Sequence, residues 1–557
     1  MNENAINALK IGLVLLAIWM AMSLLVGLPP FVDALFGVFH WSLSLEVGAA
    51  MALVCVLAVW RRRVGGFAVH AVAGVLTLLV ALRIADLTAR SVVDRPLNLF
   101  LDVSLLPALW DVTVTLLGTA LALLAVAAAL IGLVVTHYLF VALLRFVGRG
   151  FTQPATARAF ALLACAALAV FVVQRTVFAE TPGWRPVGAS ASQIVYEQTQ
   201  RVAWSLASRA AFRASLADDP ADAIPQGAAL SRLAGRDVLI IYIESYGVTA
   251  LDEPEYAAVV APRVEAFGER VAQAGFSSRS GRLVAVTVGG QSWLNHATLS
   301  SGRHIGDQTL YSLFLAEQPR TLVHDFSDAG WRSVQIKPAI TMPWPEGQRL
   351  GYEATWEAAD MGYRGPQFYW GIVPDQFALD FFARTELETA PRAPVFASVA
   401  LISSHAPWLP VPDVVAWEEL GDGSVYERWT EGAPAPREVW RDQLAVRRQY
   451  ALSVAHSLDA VAKFIADRVD PSALVVVLGD HQPAPLVTGP DASRAVPVHV
   501  LSGDEALLEA FADLGFVDGM KPPPAPLGGD ATLPGMEAFR PFLLEAFSGL
   551  GFASRAH

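Results

Sequence analysis

Long apolar runs fill the first third of the chain, whereas short apolar runs separated by polar stretches fill the rest. The long runs cover residues 10 to 28, 43 to 60, 66 to 86, 112 to 144 and 156 to 178. Each is about long enough to cross the roughly 30 Å hydrocarbon core of a membrane as a helix. A cleaved signal peptide is disfavoured for the first run, because more apolar runs follow it. The pattern therefore predicts a helical membrane domain over 1–180 with five transmembrane helices.

Arginines between these runs predict the orientation of the helices. Two groups lie between the second and third runs and between the fourth and fifth runs: Arg61, Arg62, Arg63, Arg145, Arg149 and Arg158. Loops rich in Lys and Arg stay in the cytoplasm. An odd number of crossings that starts inside then places everything after residue 180 on the outer side of the membrane.

The second part of the chain has the pattern of an α/β domain. Residues 181–232 predict an amphipathic connector at the membrane surface. Five short branched apolar runs follow, separated by helix-compatible stretches: 237–245, 332–340, 395–403, 473–481 and 496–502. Buried strands that alternate with helices predict a mostly parallel central sheet covered on both faces. We assign this domain to 233–557.

Composition and charge support this division. Of the 557 residues, 54% are apolar and 17% are charged, and the mean hydropathy is +0.43, which is too apolar for an ordinary soluble protein of this size. Residues 1–180 carry a net charge of +3 and the remainder −15. This acidity argues against nucleic acid as a partner, because phosphates need a basic surface. Cys55 and Cys165 lie inside apolar runs, so the acidic part has no disulfide.

Three of the short runs end in residues that can bind a cation or move a proton. Glu244 ends the first, His405 follows the third, and Asp480 and His481 end the fourth. Ligands bind beyond the carboxyl ends of parallel strands. Two carboxylates and an imidazole there can share one divalent ion. Taken singly, each residue has another interpretation: a helix cap for Glu244, a solvated turn for Asp480 and His481, and a core histidine for His405.

The segment TVGGQSWLNHATLSSGRH, residues 287–304, predicts a glycine-rich loop that runs into a helix. Ser292 would lie at the helix N-terminus, where the free amides favour an anion or an ionised hydroxyl. A serine alkoxide bound to a divalent cation is able to attack phosphorus or sulfur. Ser292 could instead be only the N-cap. Thr287 is the alternative nucleophile, and His296 is interpreted as a packing or hydrogen-bonding residue.

In their order and spacing, these segments resemble the alkaline phosphatase superfamily. Within it, the chain most resembles the sulfatase-like, membrane-anchored phosphoglycerol transferases of the lipoteichoic acid synthase type and the phosphoethanolamine transferases. The resemblance covers roughly 235 to 505 and includes the helical anchor before an outer domain. It implies an enzyme of a bacterial inner (cell) membrane, with several membrane spans and the catalytic domain on the periplasmic or extracellular side.

The resemblance also implies roles for individual residues. Glu244, Ser292, Asp480 and His481 would bind one divalent metal ion, with Mn²⁺ first and Mg²⁺ or Zn²⁺ as alternatives. Ser292 would be the nucleophile, and His405 would contact the substrate or leaving group. Lys337, Trp344 and Arg303 would contact the substrate, although Arg303 could instead sit on the solvent side of its helix.

Two departures from the resembling families change the expected chemistry. Sulfatases carry x-Pro-x-Arg after the residue that is oxidised to formylglycine, whereas Trp293, Leu294, Asn295 and His296 follow Ser292, so that modification is not expected. The transferases typically use threonine as the nucleophile, which keeps Thr287 as an alternative.

The resulting hypothesis is transfer of a phospho-alcohol head group from a membrane lipid donor to an envelope glycan or lipid acceptor. Phosphoglycerol and phosphoethanolamine both remain open, as does the oligomeric state. Hydrolysis of a phosphate or sulfate ester is one alternative, and a non-catalytic membrane protein that binds envelope glycans or partners is another. A transporter is disfavoured because few charged residues lie within the predicted spans.

Overall fold

The structure is a computed structural model of the 557-residue chain. It describes residues 3–27, 42–61, 66–93, 96–103, 106–150, 154–177, 186–225, 227–341, 344, 346–489 and 492–549. Arg62 and Arg63, which belong to the first predicted cytoplasmic loop, lie outside these ranges. The chain divides into two compact units, one formed by 1–91 and 95–207 and the other by 92–94 and 208–557.

The first unit is helical. Its helices are Glu3–Val26, Leu45–Arg61, Gly66–Val93, Leu99–Asp102, Leu106–Leu117, Thr119–Gly150, Pro154–Thr176 and most of Ser190–Ser215. Residues 43–44 pair in parallel with residues 187–188.

Three helical segments of the described chain are long and apolar enough to cross a membrane: Gly66–Arg90, Thr119–Gly150 and Thr156–Thr176. The apolar segments Lys10–Val26 and Leu45–Trp60 are shorter, so the predicted count of five crossings is not confirmed. The length and composition of the three segments are those of a membrane anchor.

The second unit contains an eight-stranded sheet. We number its strands β1 Val238–Ile243, β2 Ser277–Val284, β3 Arg332–Lys337, β4 Ala354–Glu357, β5 Val395–Ala400, β6 Leu474–Gly479, β7 Ala495–Ser502 and β8 Val517–Asp518. Their order across the sheet is β8-β2-β7-β6-β1-β5-β3-β4. The strands predicted from the five apolar runs lie side by side in the sheet, in the order β7-β6-β1-β5-β3.

The sheet is mixed, which corrects the expectation of a mostly parallel one. Strands β6, β1, β5, β3 and β4 are mutually parallel, whereas β7 is antiparallel to β6 and β2, and β8 is antiparallel to β2. Among the described residues between β6 and β7, the only helix is the four-residue Pro485–Thr488. A parallel return usually crosses the sheet through a long helix, which this connection lacks in its described part, and β7 runs back beside β6.

Helices cover both faces of the sheet. They are Thr249–Asp252, Pro254–Gln273, Ser292–Ser301, Gln308–Glu317, Leu322–Asp328, Glu346–Arg349, Asp375–Phe382, Glu427–Thr430, Pro436–Val439, Gln443–Arg468, Pro485–Thr488, Glu505–Glu509 and Phe539–Phe547.

Successive side chains of β1 show why the central strands are apolar throughout. Leu239 and Ile241 join a core on one face, together with residues of the helices Pro254–Gln273 and Gln443–Arg468. Val238 and Ile240 join a core on the other face, with residues of the helix Phe539–Phe547. A strand buried on both faces loses the polar alternation of a half-exposed strand. The two cores hold the carboxyl ends of the parallel strands in place.

Candidate active site

Two neighbouring parallel strands end in the predicted cation ligands. Glu244 follows β1, and Asp480 and His481 follow β6. Ile243 pairs with Gly479 in the ladder, so the residues that come next lie side by side. The ligand atoms of Glu244, Asp480 and His481 lie within 4.8 Å of one another. Their exposed fractions are 6%, 2% and 1%.

The backbone is tightly constrained at both strand ends. A Cβ atom at Gly479 would lie 1.8 Å from the carbonyl oxygen of Tyr246, so only glycine fits immediately before Asp480. Ser245 has φ 55°, a left-handed conformation that costs a residue with a Cβ roughly 1 kcal/mol or more. Gln291 before Ser292 and Trp408 after His405 also have positive φ. Two of the five such non-glycine residues in the described chain are therefore adjacent to predicted site residues, and a third lies three residues after one.

Hydrogen bonds fix the carboxylates. Oδ1 of Asp480 accepts from the backbone N–H of Ser245 at 2.8 Å and from that of His481 at 2.7 Å. The hydroxyl of Ser245 donates to Oε1 of Glu244 at 2.8 Å. These bonds stabilise the ionised form of each group.

The imidazole of His481 has the orientation of a metal ligand. Its Nδ1 lies 2.8 Å from the carbonyl oxygen of Gln482, so Nδ1 carries the proton and donates it. Nε2 then presents a lone pair 3.5 Å from Oε1 of Glu244 and 3.8 Å from Oδ2 of Asp480. This buried Nε2 has no hydrogen-bond partner in the described part of the chain. A buried, unpartnered nitrogen lone pair that faces two carboxylates fits a divalent cation bound by all three side chains.

The pKa shifts of Glu244, Asp480 and His481 agree with a site for a divalent cation. Burial and the charge of Glu244 raise the pKa of Asp480 well above its ordinary value. Against the raising effect of burial, His481 and His405 lower the pKa of Glu244. Burial lowers the pKa of His481, which keeps its imidazole neutral and able to bind a cation through nitrogen. A cation here would relieve the repulsion between the two carboxylates.

The loop that precedes Ser292 is attached to the same strand end. The backbone N–H of Gly289 donates to the carbonyl oxygen of Gln482 at 2.8 Å, and Val288 pairs with Gln482 in a parallel bridge. Gln482 comes directly after His481. The glycine-rich loop is therefore held beside the Asp480–His481 turn.

Ser292 is the first residue of the helix Ser292–Ser301, and Gln291 is its N-cap. The interpretation of Ser292 as the N-cap is therefore wrong. Ser292 is half-buried, and its hydroxyl forms no hydrogen bond within the described residues. It lies at the positive end of the helix dipole, where an ionised hydroxyl is favoured.

The hydroxyl of Thr287 has a different environment. It accepts from the side-chain amide of Asn295 at 2.6 Å, and the same amide group accepts from the N–H of Val286 at 2.8 Å. Thr287 is 8% exposed and Asn295 is fully buried. The Asn295 amide ties the loop back onto the helix, so Thr287 has a structural role that Ser292 lacks.

His405 lies on an exposed turn after β5. Its Nδ1 lies 2.6 Å from the carbonyl oxygen of Ala406, which leaves Nε2 as the free ring nitrogen. His405 is near enough to Glu244 and His481 for its charge to lower the pKa of both. The hydroxyl of Ser404 donates to the backbone oxygen of Glu244 at 2.5 Å, so the turn is bonded to the end of β1.

Lys337 and Trp344, the two predicted substrate-contacting residues of the 336–347 stretch, lie close together. The ammonium of Lys337 is 5.3 Å from the centre of the Trp344 ring and 3.1 Å from Nδ1 of His296. Burial lowers the pKa of Lys337 to about 8, although Asp480 and Glu244 raise it. The ring centres of His296 and Tyr242 lie 4.0 Å apart, which confirms the interpretation of His296 as a packing and hydrogen-bonding residue.

These residues line a polar cavity beside the Ser292–Ser301 helix. Its lining includes Tyr242, His296, Gln335, Lys337 and Trp344. Nε2 of His296 and Oε1 of Gln335 are buried without a partner among the described residues. The cavity thus offers two unpaired polar atoms next to the buried ammonium group of Lys337.

Arg303 has a structural role. Its guanidinium donates to the backbone oxygens of Ser215 and Asp218 and lies 3.7 Å from Asp219. Only 9% of Arg303 is exposed, so the solvent-facing interpretation is wrong. These bonds satisfy free carbonyls at the end of the helix Ser190–Ser215. A contact between Arg303 and the substrate stays a prediction.

Sequence reasoning missed the residues that support the site. Ser245, Ser404, Gln482 and Asp375 all form hydrogen bonds with strand ends or with the turn that carries His405. Ser245, Ser404 and Gln482 are sequence neighbours of predicted site residues, which is the signal that could have indicated them. Asp375 has no such signal.

The structure thus brings Glu244, Asp480 and His481 together in one buried group at the carboxyl edge of the parallel strands. No family model and no curated protein matches the chain. Several solved structures are similar to it.

Lipoteichoic acid synthase LtaP from Listeria monocytogenes is 11% identical, with 49% of this chain and 66% of that chain covered and a TM-score of 0.34. A protein in the alkaline phosphatase superfamily from Vibrio parahaemolyticus is 14% identical, with coverages of 50% and 62% and a TM-score of 0.33. Streptococcus pyogenes phosphoglycerol transferase GacH is 14% identical, with coverages of 60% and 90% and a TM-score of 0.35. The chain spans less than two thirds of the first two. With such low identities and scores, the chemistry has to be inferred from the residues of the site.

Proposed function

We propose that the chain is a metal-dependent enzyme that transfers a phospho-alcohol head group, phosphoglycerol or phosphoethanolamine, from a membrane lipid to an envelope glycan or lipid. The observation that carries this proposal is the buried group of Glu244, Asp480 and His481 with the unpaired Nε2 of His481. The Ser292 loop is bonded to the residue after His481. A protein that only bound glycans would have no need of this buried group with the Ser292 loop bonded next to it.

Glu244, Asp480 and His481 would hold the metal ion, with Ser292 as the fourth ligand. When bound, a divalent cation lowers the pKa of a coordinated hydroxyl and neutralises charge on phosphate oxygens. Mn²⁺ is the first choice, and Mg²⁺ or Zn²⁺ would also suit oxygen and nitrogen ligands.

Ser292 would act as the nucleophile. Its oxygen forms a bond to phosphorus while the bond from phosphorus to the diacylglycerol oxygen breaks, and the serine proton passes to solvent. His405 gives a proton to the leaving oxygen through its free Nε2. The acceptor hydroxyl then attacks the phosphoserine, His405 takes the acceptor proton, and Ser292 leaves with a proton from solvent. The two steps restore the enzyme and conserve charge and atoms.

Lys337 and Trp344 would bind the head group. The Lys337 ammonium is able to pair with a phosphate oxygen, and at pH 7 a pKa of about 8 keeps most of it protonated. Nε2 of His296 and Oε1 of Gln335 line the same cavity, which at about 20 Å³ has room for a single hydroxyl or amine of the head group. A lipid donor also explains the anchor, because tethering to a membrane raises the effective concentration of head groups.

The test is to incubate the purified full-length protein and Mn²⁺ with phosphatidylglycerol or phosphatidylethanolamine labelled in the head group. We expect diacylglycerol release and label on a covalent protein intermediate with one of the two lipids. Label that appears only as free head-group phosphate would identify a hydrolase. No release from either lipid, with Mn²⁺ bound to the protein, would rule out the transferase and favour the glycan-binding alternative.

We further propose that the second unit lies outside the cytoplasm of a bacterial cell, at the inner (cell) membrane. Reporter fusions after residue 62 should be active in the cytoplasm, and fusions at residue 557 should be active outside it, because the arginine-rich loops stay inside. The opposite pattern would exclude lipids and glycans of the outer side as substrates.

A further inference from the structure

Asp375 is a fully buried carboxylate for which the proposed reaction has no direct use. It is the first residue of the helix Asp375–Phe382 and has no exposed surface. Burial lowers the pKa of His456 and Asp375 acts against this shift, so the His456 imidazole lies near the Asp375 carboxylate. A buried carboxylate is costly unless hydrogen bonds compensate it. Its hydrogen-bond partners therefore indicate what it does.

The partners of Asp375 belong to the turn that carries His405. Oδ1 of Asp375 accepts from the backbone N–H groups of Ile402 and Ser403, both at 2.8 Å. The N–H of Asp375 donates to the hydroxyl of Ser403 at 3.0 Å, which closes a ring of bonds. Oδ2 accepts from the hydroxyl of Ser457 at 2.6 Å.

The hydrogen bonds to Asp375 begin directly after the last main-chain bond between the chain that follows β5 and strand β1. The N–H of Leu401 donates to the backbone oxygen of Tyr242 at 2.9 Å, a bond from the chain after β5 to β1. The next two N–H groups would have no strand partner, and a buried N–H must be satisfied. Asp375 accepts from both, as Asp480 accepts from two N–H groups at the ends of β1 and β6.

The turn is fixed on its other side to a predicted metal ligand. Ser404 donates its hydroxyl to the backbone oxygen of Glu244, and the N–H of His405 donates to the oxygen of Ile402 at 2.9 Å. The indole N–H of Trp408 donates to the oxygen of Ser404 at 2.9 Å. His405 itself is exposed and depends on these main-chain bonds for its position.

We propose that Asp375 is a positioning residue that holds the 402–405 turn, and with it His405, in register with Glu244. Its carboxylate acts through the turn and does not touch the substrate. The catalytic consequence rests on the proposed role of His405 in proton transfer, whereas the structural consequence does not.

Hydrogen exchange tests the structural consequence without turnover. In Asp375→Ala, the peptide that contains residues 401–408 should exchange its amides at least about 10-fold faster than in the natural protein, because two N–H groups lose their acceptor. The peptide that contains 474–479 should be unchanged. Asp375→Asn keeps an oxygen at the same place and should restore the protection. Ser457→Ala is the matched control, since it removes only the Oδ2 bond. Unchanged exchange in 401–408, or no restoration by asparagine, overturns the proposal.

Turnover tests the catalytic consequence. We expect Asp375→Ala to lower kcat about 10- to 100-fold with little change in KM, because a displacement near 1 Å of a catalytic group can have such an effect. In the His405→Ala background the same substitution should have no further effect, since the group that it positions is gone. Additive losses would mean that Asp375 acts only on stability. If Asp375→Ala does not fold, Asp375→Glu gives the same cycle, because its longer side chain moves the carboxylate oxygens away from the N–H groups of Ile402 and Ser403.

The outcomes separate the two proposals. Wild-type protein that lacks turnover but shows the expected exchange pattern contradicts the proposed function and leaves Asp375 as the residue that orders the turn. Normal turnover in His405→Ala contradicts the role of His405 alone.

Discussion

Ser292→Ala is expected to lower turnover by at least about 1,000-fold and to remove the covalent head-group adduct. The Ser292 hydroxyl has no hydrogen bond within the described residues, and the side chain is half-buried at a helix N-terminus. Its removal should therefore change the free energy of unfolding by only about 0.5 kcal/mol. Diacylglycerol release and the mass of the peptide that contains Ser292 are the measurements. Metal binding should weaken but persist, because three ligands remain.

Thr287→Val is the matched control for this prediction. It removes one hydroxyl of similar size from the same segment, and that hydroxyl accepts from Asn295. The variant should lose about 1 kcal/mol of stability, because the buried Asn295 amide loses its acceptor. It should still form the adduct. An adduct that persists in Ser292→Ala and disappears in Thr287→Val would move the nucleophile to Thr287.

Asp480→Asn is expected to weaken Mn²⁺ binding by at least about 100-fold and to abolish turnover, yet to raise the melting temperature of the metal-free protein. Asparagine keeps an oxygen for the N–H groups of Ser245 and His481 but removes a buried charge beside Glu244. In the folded protein, burial and Glu244 raise the pKa of Asp480. The charged form is therefore unfavourable without a cation.

The pH dependence of this effect has a definite sign. A carboxyl group with a raised folded-state pKa stabilises the fold below its unfolded pKa of about 4 and loses that contribution as the pH rises. The difference in melting temperature between Asp480→Asn and the metal-free natural protein should therefore grow from about pH 4 toward neutral pH. Thermal unfolding with and without Mn²⁺ measures it. Saturating Mn²⁺ should reverse the order of the two proteins.

Glu386→Gln provides the contrast for this second prediction. Glu386 is also buried, but it pairs with Arg332 at 2.7 Å, at the start of β3 and away from the carboxyl ends of the strands. Its neutralisation should destabilise the protein, because it leaves a partly buried arginine with only the longer contact to Glu353 at 3.7 Å. Mn²⁺ binding should be unchanged. If both variants lower the melting temperature alike, the carboxylates of the site are not under mutual repulsion.

The contrast between β1 and β2 explains how much of the fold the sequence predicted. Residues 238–243 are apolar throughout, because both faces of β1 are buried, and such a run is recognisable. Strand β2 has the sequence SSRSGRLV and was not predicted. Its Arg282 pairs with Asp252 at 2.6 Å, and its Ser280 bonds to His499 at 2.8 Å. These partners lie elsewhere in the chain, so polar residues in a strand are satisfied only once the fold has formed.

The features of the site likewise divide into those that the sequence predicted and those that only the tertiary structure decided. Glu244, Asp480 and His481 were predicted as a group because each ends a recognisable strand, and the carboxyl ends of parallel strands meet at one edge. The sequence also determined the membrane anchor and the glycine-rich loop before Ser292, since both depend on local residue types. Only the tertiary structure decided that β7 runs antiparallel, that Lys337 pairs with His296, that Arg303 bonds to Ser215, and that Asp375 holds the turn of His405. Local patterns determine what a segment can become, whereas hydrogen bonds between segments about 20 or more residues apart depend on where the folded sheet and its helices bring them.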